Sequence, residues 1–291
     1  MIKRKILMVL YIPNQSDSVW SYDNWGANPS ATMGTAVTSG TANAEGSWTQ
    51  VASSSNIAED VSGIYLQVHT GSATGNVRPA LIDIGVDPAG GASYTQVIGD
   101  ILSGFTPSLT VAGNREFFFP FKINKGSSVA VRIQGMYATS HRVAVRFYGR
   151  VSRQEMFPKG QYSDTFGVTN NGGTPFTTGN AADGSWTLLG TTTRPIWWWQ
   201  LGYQIWNTTI TAEYTYIELG YGNGTATGTQ SFFKMMHGGT TAETVGLAAQ
   251  THLLWLAAYY AVPAGANIYV RGRCNNAPDS GYQAVAIGIG G

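Results

Sequence analysis

The chain has 291 residues, of which 43% are hydrophobic and 12% aromatic, enough to fill ordinary packed cores and to argue against wholesale disorder despite 37 glycines. Only 11% of residues are charged and the formal net charge is +1, so nucleic acid and anionic membrane are not expected partners. The single cysteine, Cys274, excludes an internal disulfide and a cysteine-cluster zinc site.

The N-terminal stretch "MIKRKILMVLYIPN" places Lys3, Arg4 and Lys5 before an apolar run from Ile6 to Ile12, in imitation of a secretory signal. That run is short for a signal core, and Pro13 and Asn14 stand where a small-x-small cleavage site would be, so residues 1–25 are expected to form a strand or arm of the mature protein. No stretch approaches the roughly 18 consecutive apolar residues of a membrane-spanning helix.

Further along, "EGSWTQV" (45–51) is answered by "DGSWTLL" (183–189), which sets Trp48 and Trp186 138 positions apart. The likeness continues in order. "LIDIGVD" (81–87) matches "YIELGYG" (216–222), pairing Asp83 with Glu218 and Gly85 with Gly220. "INKGSSVAVR" (123–132) matches "VPAGANIYVR" (262–271), pairing Gly126 with Gly265 and Arg132 with Arg271. A repeat this long means tandem domains: a first copy at 26–150, a connector at 151–165 and a second copy at 166–291.

Both copies read as all-β. Stretches such as "IYLQV" and "RVAVRFYG" alternate or run apolar, and clusters such as "DPAGG" and "TNNGG" separate them. The Leu- and Ala-rich segment 244–260 has a helical look, but its counterpart carries Pro120, so both are assigned strand. About eight short strands per copy fit an antiparallel β-sandwich of jelly-roll type. Gly126 and Gly265 are expected in turns that need positive φ. Asp83 and Glu218 are expected on the outer face as solvated or hydrogen-bonded carboxylates, and Trp48 and Trp186 as plugs at one end of each sandwich.

The sequence offers little that would perform chemistry. His69, His141, His237 and His252 have no metal-ligand spacing, nucleophile-elbow and phosphate-loop motifs are missing, and Cys274 has no histidine nearby in sequence. Asp60, Asp83, Asp87, Asp100 and Glu116 could supply the facing carboxylates of a glycosidase, as some pair would in any chain with 16 acidic residues. The expectation is a protein that is not an enzyme and binds no metal or small-molecule cofactor.

The copies differ in surroundings. The first carries eight basic and seven acidic residues, the second four and five, whereas tryptophan runs the other way, with six in the second copy and only Trp48 in the first. At an offset of 138 positions, Trp197, Trp198 and Trp199 fall opposite Glu59, Asp60 and Val61. A strand with three consecutive tryptophans presents rings to both faces. One ring can fill the core and another lie under the connector, or the run can stack a sugar; the reading adopted is contact with a partner chain. The N-terminal arm, through Ile6, Leu7, Val9, Leu10 and Tyr11, is expected to join that contact.

The strings "LIDIGVDPAGG", "FFFPFKINKGSSVAVRIQG" and "VAVRFYGR" resemble the β-sandwich modules of structural proteins in tailed-bacteriophage virions, including head decoration (cement) and fibre-type proteins. The resemblance implies a non-enzymatic capsid decoration protein that binds and stabilises the head shell. Its partners would be the major capsid protein or other virion proteins, its location the virion after assembly in the host cytoplasm, and its state a homo-oligomer, dimer or trimer. The alternative it allows is a tail, baseplate or fibre adhesin that binds host-surface glycan.

Overall fold

A computed structural model describes residues 20–25, 34–70, 80–103, 114–135, 140–149, 160–167, 173–205, 213–239, 247–250, 254–255, 261–275 and 281–291. Everything described is strand, turn or loop, so no helix there is long and apolar enough to cross a membrane.

The first copy contains β1 (Ser21–Asp23), β2 (Thr35–Thr38), β3 (Thr49–Ala52), β4 (Gly63–Thr70), β5 (Ala80–Asp87), β6 (Thr95–Ser103), β7 (Asn114–Phe119), β8 (Ser128–Gly135) and β9 (Ser140–Tyr148). They form two sheets, β1-β9-β4-β7 and β3-β8-β5-β6, with β2 beside β9 as well. Because β1 pairs with Arg146–Tyr148 and β2 with Ser140–Val143, the two lie end to end as one broken strand along β9. Counted so, the eight strands run 1-8-3-6 in one sheet and 2-7-4-5 in the other, the double Greek key of a jelly roll.

The second copy repeats the plan with β10 (Tyr162–Phe166), β11 (Thr174–Phe176), β12 (Thr178–Asn180), β13 (Thr187–Thr191), β14 (Trp198–Ile205), β15 (Glu213–Gly222), β16 (Thr229–Gly239), β17 (Leu247–Gln250), β18 (Leu254–Trp255), β19 (Asn267–Cys274) and β20 (Tyr282–Gly290). Its first sheet is β10-β20-β14-β17, with β11 beside β20 and β18 beside β14; its second is β12-β19-β15-β16, with β13 beside β19. The fold is therefore two tandem antiparallel β-sandwiches. The described parts of 244–260 are strand.

Two expected boundaries move. Ser21–Asp23 of the expected arm pairs with β9 and belongs to the first sandwich, and Tyr162–Phe166, placed partly in the connector, pairs with β20 and opens the second. Residues Ile6, Leu7, Val9, Leu10 and Tyr11 lie outside the described residues.

Alternation places each core. On β9, Val143, Val145 and Phe147 enter the first sandwich with Ile64, Leu66 and Val68 of β4 and Ile82 and Ile84 of β5. On β20, Ala284 and Ala286 enter the second with Trp199, Leu201, Ile217, Leu219 and Val270. Gly126 and Gly265 both have φ +78° in the turns before β8 and β19, as their matched positions require.

The two sandwiches are packed sheet on sheet. All eight residues of β5 are buried, and its outward-facing Leu81, with the neighbouring Leu102 of β6, is covered by Val285 of β20. Trp198, Ile287 and Ile289, from the same outer face of the second sandwich, join the hydrophobic cluster of the first. Polar contacts stitch the seam: the Ser163 hydroxyl donates to the Val97 carbonyl at 2.6 Å, and that of Thr165 to Gly99 at 3.0 Å. Gly202 makes the close approach possible, since a Cβ there would sit 2.8 Å from Cβ of Leu102.

Candidate interaction surface

The matched residues of the two copies assemble into the same construction on the outer face of the β3-β8-β5-β6 sheet and its counterpart. In the first sandwich the Trp48 ring lies on Gly85, where a Cβ would come within 2.8 Å of the indole. The Arg132 guanidinium lies over that ring, 4.4 Å from its centroid. Arg132 Nε donates to Asp83 at 2.8 Å, another of its nitrogens to Gln96 at 2.8 Å, and a third pairs with Glu45. In the second sandwich Trp186 lies on Gly220 with the same 2.8 Å constraint, and Arg271 covers it at 4.2 Å. Arg271 Nε pairs with Glu218, and its terminal nitrogen with Asp183 at 3.0 Å.

The repeated heptad is thereby explained residue by residue. Its acid (Glu45 or Asp183) holds the arginine, and its tryptophan packs on the glycine of the central strand. Its own glycine (Gly46 or Gly184) donates to the carbonyl of Ile133 or Gly272 at 2.9 Å, in a corner where a Cβ would meet the backbone carbonyl of Thr38 or Thr177. The tryptophans do not plug the sandwich ends as expected; they lie half-buried across the sheet, each against a glycine of the central strand and close to a guanidinium. Asp83 and Glu218 are on the outer face as expected but are 4% and 5% exposed, so each depends on its arginine rather than on water.

The frames differ in charge. Asp100 sits at a bulge of β6 with φ +59°, and its N–H donates to Asp83 at 2.8 Å. Burial, with Asp83 and Glu45 nearby, pushes the Asp100 carboxyl up to about 7, against the opposing pull of Arg132. In the second frame the strand beside Glu218 brings Lys234 instead, 3.5 Å from that carboxylate, and Arg273 stands 3.8 Å from Asp183. One frame holds three carboxylates to one guanidinium; the other holds three cations to two carboxylates.

Of the five carboxylates considered for hydrolysis, Asp83 and Asp100 come together. Asp60 accepts the Lys125 N–H at 2.9 Å, Asp87 is held below the usual carboxylate range by the N–H groups of Ser93 and Ala89, and Glu116 accepts from Gln67 at 2.7 Å. His141 is buried on β9, where desolvation lowers its imidazole to about 4. Among the described residues no group of three or more His, Cys, Asp or Glu is placed to hold a metal ion.

The tryptophan run is placed within the chain. Val61 bridges to Ile123 and Ile196 to Val262, and the N–H groups of Ser62 and Trp197 donate to the carbonyls of Tyr148 and Ile289. Trp197–Trp199 therefore replace Ser62, Gly63 and Ile64, at an offset of 135 rather than 138, because the insertion between the copies falls before this strand. Trp199 is wholly buried in the second core, 5.4 Å from Phe166 and 5.1 Å from Phe232 between ring centroids. Trp198 points the other way and is 8% exposed against the first sandwich, with Trp197 partly buried beside it. The cover that the sequence reading assigns to a partner chain is supplied by the first sandwich.

One apolar pair is left in the open. In the first sandwich, Leu81 is paired across strands with Leu102 and both lie under Val285; the corresponding cross-strand pair in the second is Tyr216 with Met236. Tyr216 is 37% and Met236 62% exposed. Lys234 and Arg273 approach the Tyr216 ring at 5.6 and 5.4 Å. Nothing in either residue type signals this exposure; it follows from which sandwich has a neighbour.

Neither the models of known protein families nor the sequences of curated proteins give a match to this chain. Among solved structures it is similar to the tandem CBM22-1–CBM22-2 domains of Xyn10C from Paenibacillus barcinonensis, at 9% identity over 83% of this chain and 82% of that one, TM-score 0.24. It is also similar to a chain of the naturally occurring empty particles of cowpea mosaic virus, at 10% identity over 79% and 77%, TM-score 0.31. A third is the PBSX exported protein XepA, at 11% identity over 96% and 89%, TM-score 0.25. The arrangement of paired sandwiches and committed side chains points to a structural or binding role.

Proposed function

We propose that the chain is a non-enzymatic structural protein of a virion, a decoration or cement protein that binds and stabilises the head shell of a tailed bacteriophage. The observation that carries this reading is the commitment of the repeated polar residues to holding the fold: each arginine is used up by a tryptophan and two carboxylates of its own sandwich. Such frames stiffen a sheet without engaging a substrate, and two stiff sandwiches joined by a buried seam form a clamp that can bridge neighbouring subunits of a shell. The resemblance of "LIDIGVDPAGG" and "FFFPFKINKGSSVAVRIQG" to virion modules adds the setting, with the major capsid protein or another virion protein as partner.

The adhesin alternative is the less favoured, since a sugar-stacking platform needs a bare ring face. Trp198 and Trp199 are buried, Trp197 is partly buried, and Trp48 and Trp186 are half-buried, each packed against a glycine with a guanidinium within 4.4 Å of its ring centroid. The test is cosedimentation of the purified chain with expanded empty phage heads, alongside a glycan array. Saturable binding to heads and silence on the array is the expected result. Selective glycan binding without head binding would replace this reading with the adhesin.

A further inference from the structure

The seam runs along β6, and that strand is irregular where it is gripped. Ile101 pairs with Ile82 and Ile98 with Ile84, so Gly99 and Asp100 together stand opposite the single residue Asp83, with Asp100 in the left-handed region at φ +59°. The second sandwich touches β6 on both sides of that bulge. The hydroxyls of Ser163 and Thr165 donate to the carbonyls of Val97 and Gly99, and Val285 and Gly202 close on Leu102. Half-buried Asp100 is set between these two grips, beside Asp83, Glu45 and Arg132. Arg132 is already divided among Asp83, Glu45 and Gln96, so one guanidinium serves three carboxyl groups. Among the described residues no second cation reaches Asp100 from across the seam. The strands β14, β17 and β20, which pack near β6, carry no charged residue, and the one on β10, Asp164, accepts from Thr193 at 2.9 Å. Tyr203 and Tyr282 lie in the second core, and Tyr162 donates to Pro195 under the Arg194 guanidinium. Asp87, the other acid of β5, is held in its own turn by the N–H groups of Ala89 and Ser93.

We propose that the seam is a proton-linked joint: the two sandwiches close on a neutral Asp100 at the β6 bulge, and loss of its proton loosens their contact. Closing the seam takes water from a carboxyl that has two acids and a shared guanidinium for neighbours. Burial is accordingly the first cause of its rise to about 7, followed by Asp83 and Glu45. Linkage makes the effect reciprocal, so a seam that disfavours the anion is itself disfavoured by the anion. The carboxyl is raised in the folded chain, so its contribution to the joint is fully present below about pH 4 and is lost as pH rises through about 7. Each unit of that rise which the seam supplies makes opening about tenfold more frequent once the proton has gone. The second sandwich supplies the contrast. Its matching sheet sets Lys234 opposite Glu218, a cation where the covered face has a third carboxyl. This inference does not depend on the virion reading.

The test is thiol protection in the seam. Val285→Cys in a Cys274→Ala chain places one thiol on the side of the seam that carries no ionisable group, and it is labelled with a dipyridyl disulfide from pH 5 to pH 8.5. Each rate is divided by that of the same chain unfolded in urea at the same pH, which cancels the ionisation of the thiol itself. Circular dichroism confirms the fold at each pH; where Val285→Cys melts early, Leu81→Cys takes its place on the facing sheet. Protection should fall about tenfold across the range, with a midpoint near 7. With Asp100→Asn added, it should stay at its pH 5 level throughout, since asparagine tolerates the same left-handed backbone and carries no charge. A thiol at Ile64→Cys, in the core of the first sandwich, should remain protected at both ends of the range. Protection at Val285→Cys that does not change with pH overturns the proposal, as does an equal fall in the Asp100→Asn chain. A parallel fall at Ile64→Cys would mean that the first sandwich unfolds instead of parting from the second, and would overturn it too.

Discussion

Replacing Trp198 with Ala should weaken the folded chain itself, with no partner present. The ring is 8% exposed, packed with Ile287 and Ile289 into the cluster of the first sandwich. A buried tryptophan removes about 150–250 Å² from water, worth roughly 4–6 kcal/mol at 25 cal/mol per Å². Core Trp→Ala changes cost about 3–5 kcal/mol in practice. At a seam between two domains the walls can partly close on the gap, so ~3 kcal/mol is the expected loss, roughly 6 °C in melting temperature for a chain of this size. Trp197→Ala, only partly buried, should cost about half as much. The assay is equilibrium urea unfolding followed by fluorescence and circular dichroism, where a loosened seam should also separate the two sandwiches into distinct transitions. A Trp198→Ala chain that unfolds within about 1 kcal/mol of wild type would refute the seam and restore the idea that this ring waits for another protein.

Arg132→Met and Arg271→Met should each cost ~2–4 kcal/mol in chemical denaturation, because Asp83 and Glu218 are then left buried without their cation; Asp83→Asn added to Arg132→Met should recover part of the loss. Asp100, raised to about 7 from its ordinary 3.8, holds its proton more tightly in the folded chain. Its contribution is fully present below about pH 4 and is lost as pH rises through about 7, so Asp100→Asn should raise the melting temperature relative to wild type at pH 8 and not at pH 4. Gly126→Ala and Gly265→Ala should each destabilise by about 1 kcal/mol through the φ of +78° alone, since a Cβ there meets nothing within 4 Å; a neutral result in thermal melts would contradict the turn geometry.

The sequence made the repeat visible because its constraints are local. A glycine that must turn at positive φ, a tryptophan that needs a glycine beneath it and an arginine that needs an acid recur wherever the same corner is built, so "EGSWTQV" and "DGSWTLL" could be matched by eye. Their purpose was harder to read. Asp83 alternates with Ile82 and Ile84 like any surface carboxylate, and its burial comes from Arg132, 49 residues away, and from the seam beyond it. A fixed offset of 138 misplaces the tryptophan run by three positions because it ignores small insertions, which the bridges of Val61 and Ile196 locate. Strand alternation sends Trp198 and Trp199 to opposite faces, and both are buried. What alternation cannot say is whose surface covers the second face, since tertiary neighbours leave no periodic mark in a sequence.

The second sandwich covers part of the outer face of the first through the contact of Val285 with Leu102. That contact is tested most directly by a Leu102→Cys, Val285→Cys chain in which the buried Cys274 is replaced by Ala. Mild oxidation should close an intramolecular disulfide, read as a faster band on a non-reducing gel and as the expected linked peptide by mass spectrometry, because only side chains held in contact meet the geometry of that bond. Two thiols that stay free, or that join only between separate molecules, would contradict the seam and with it the paired architecture.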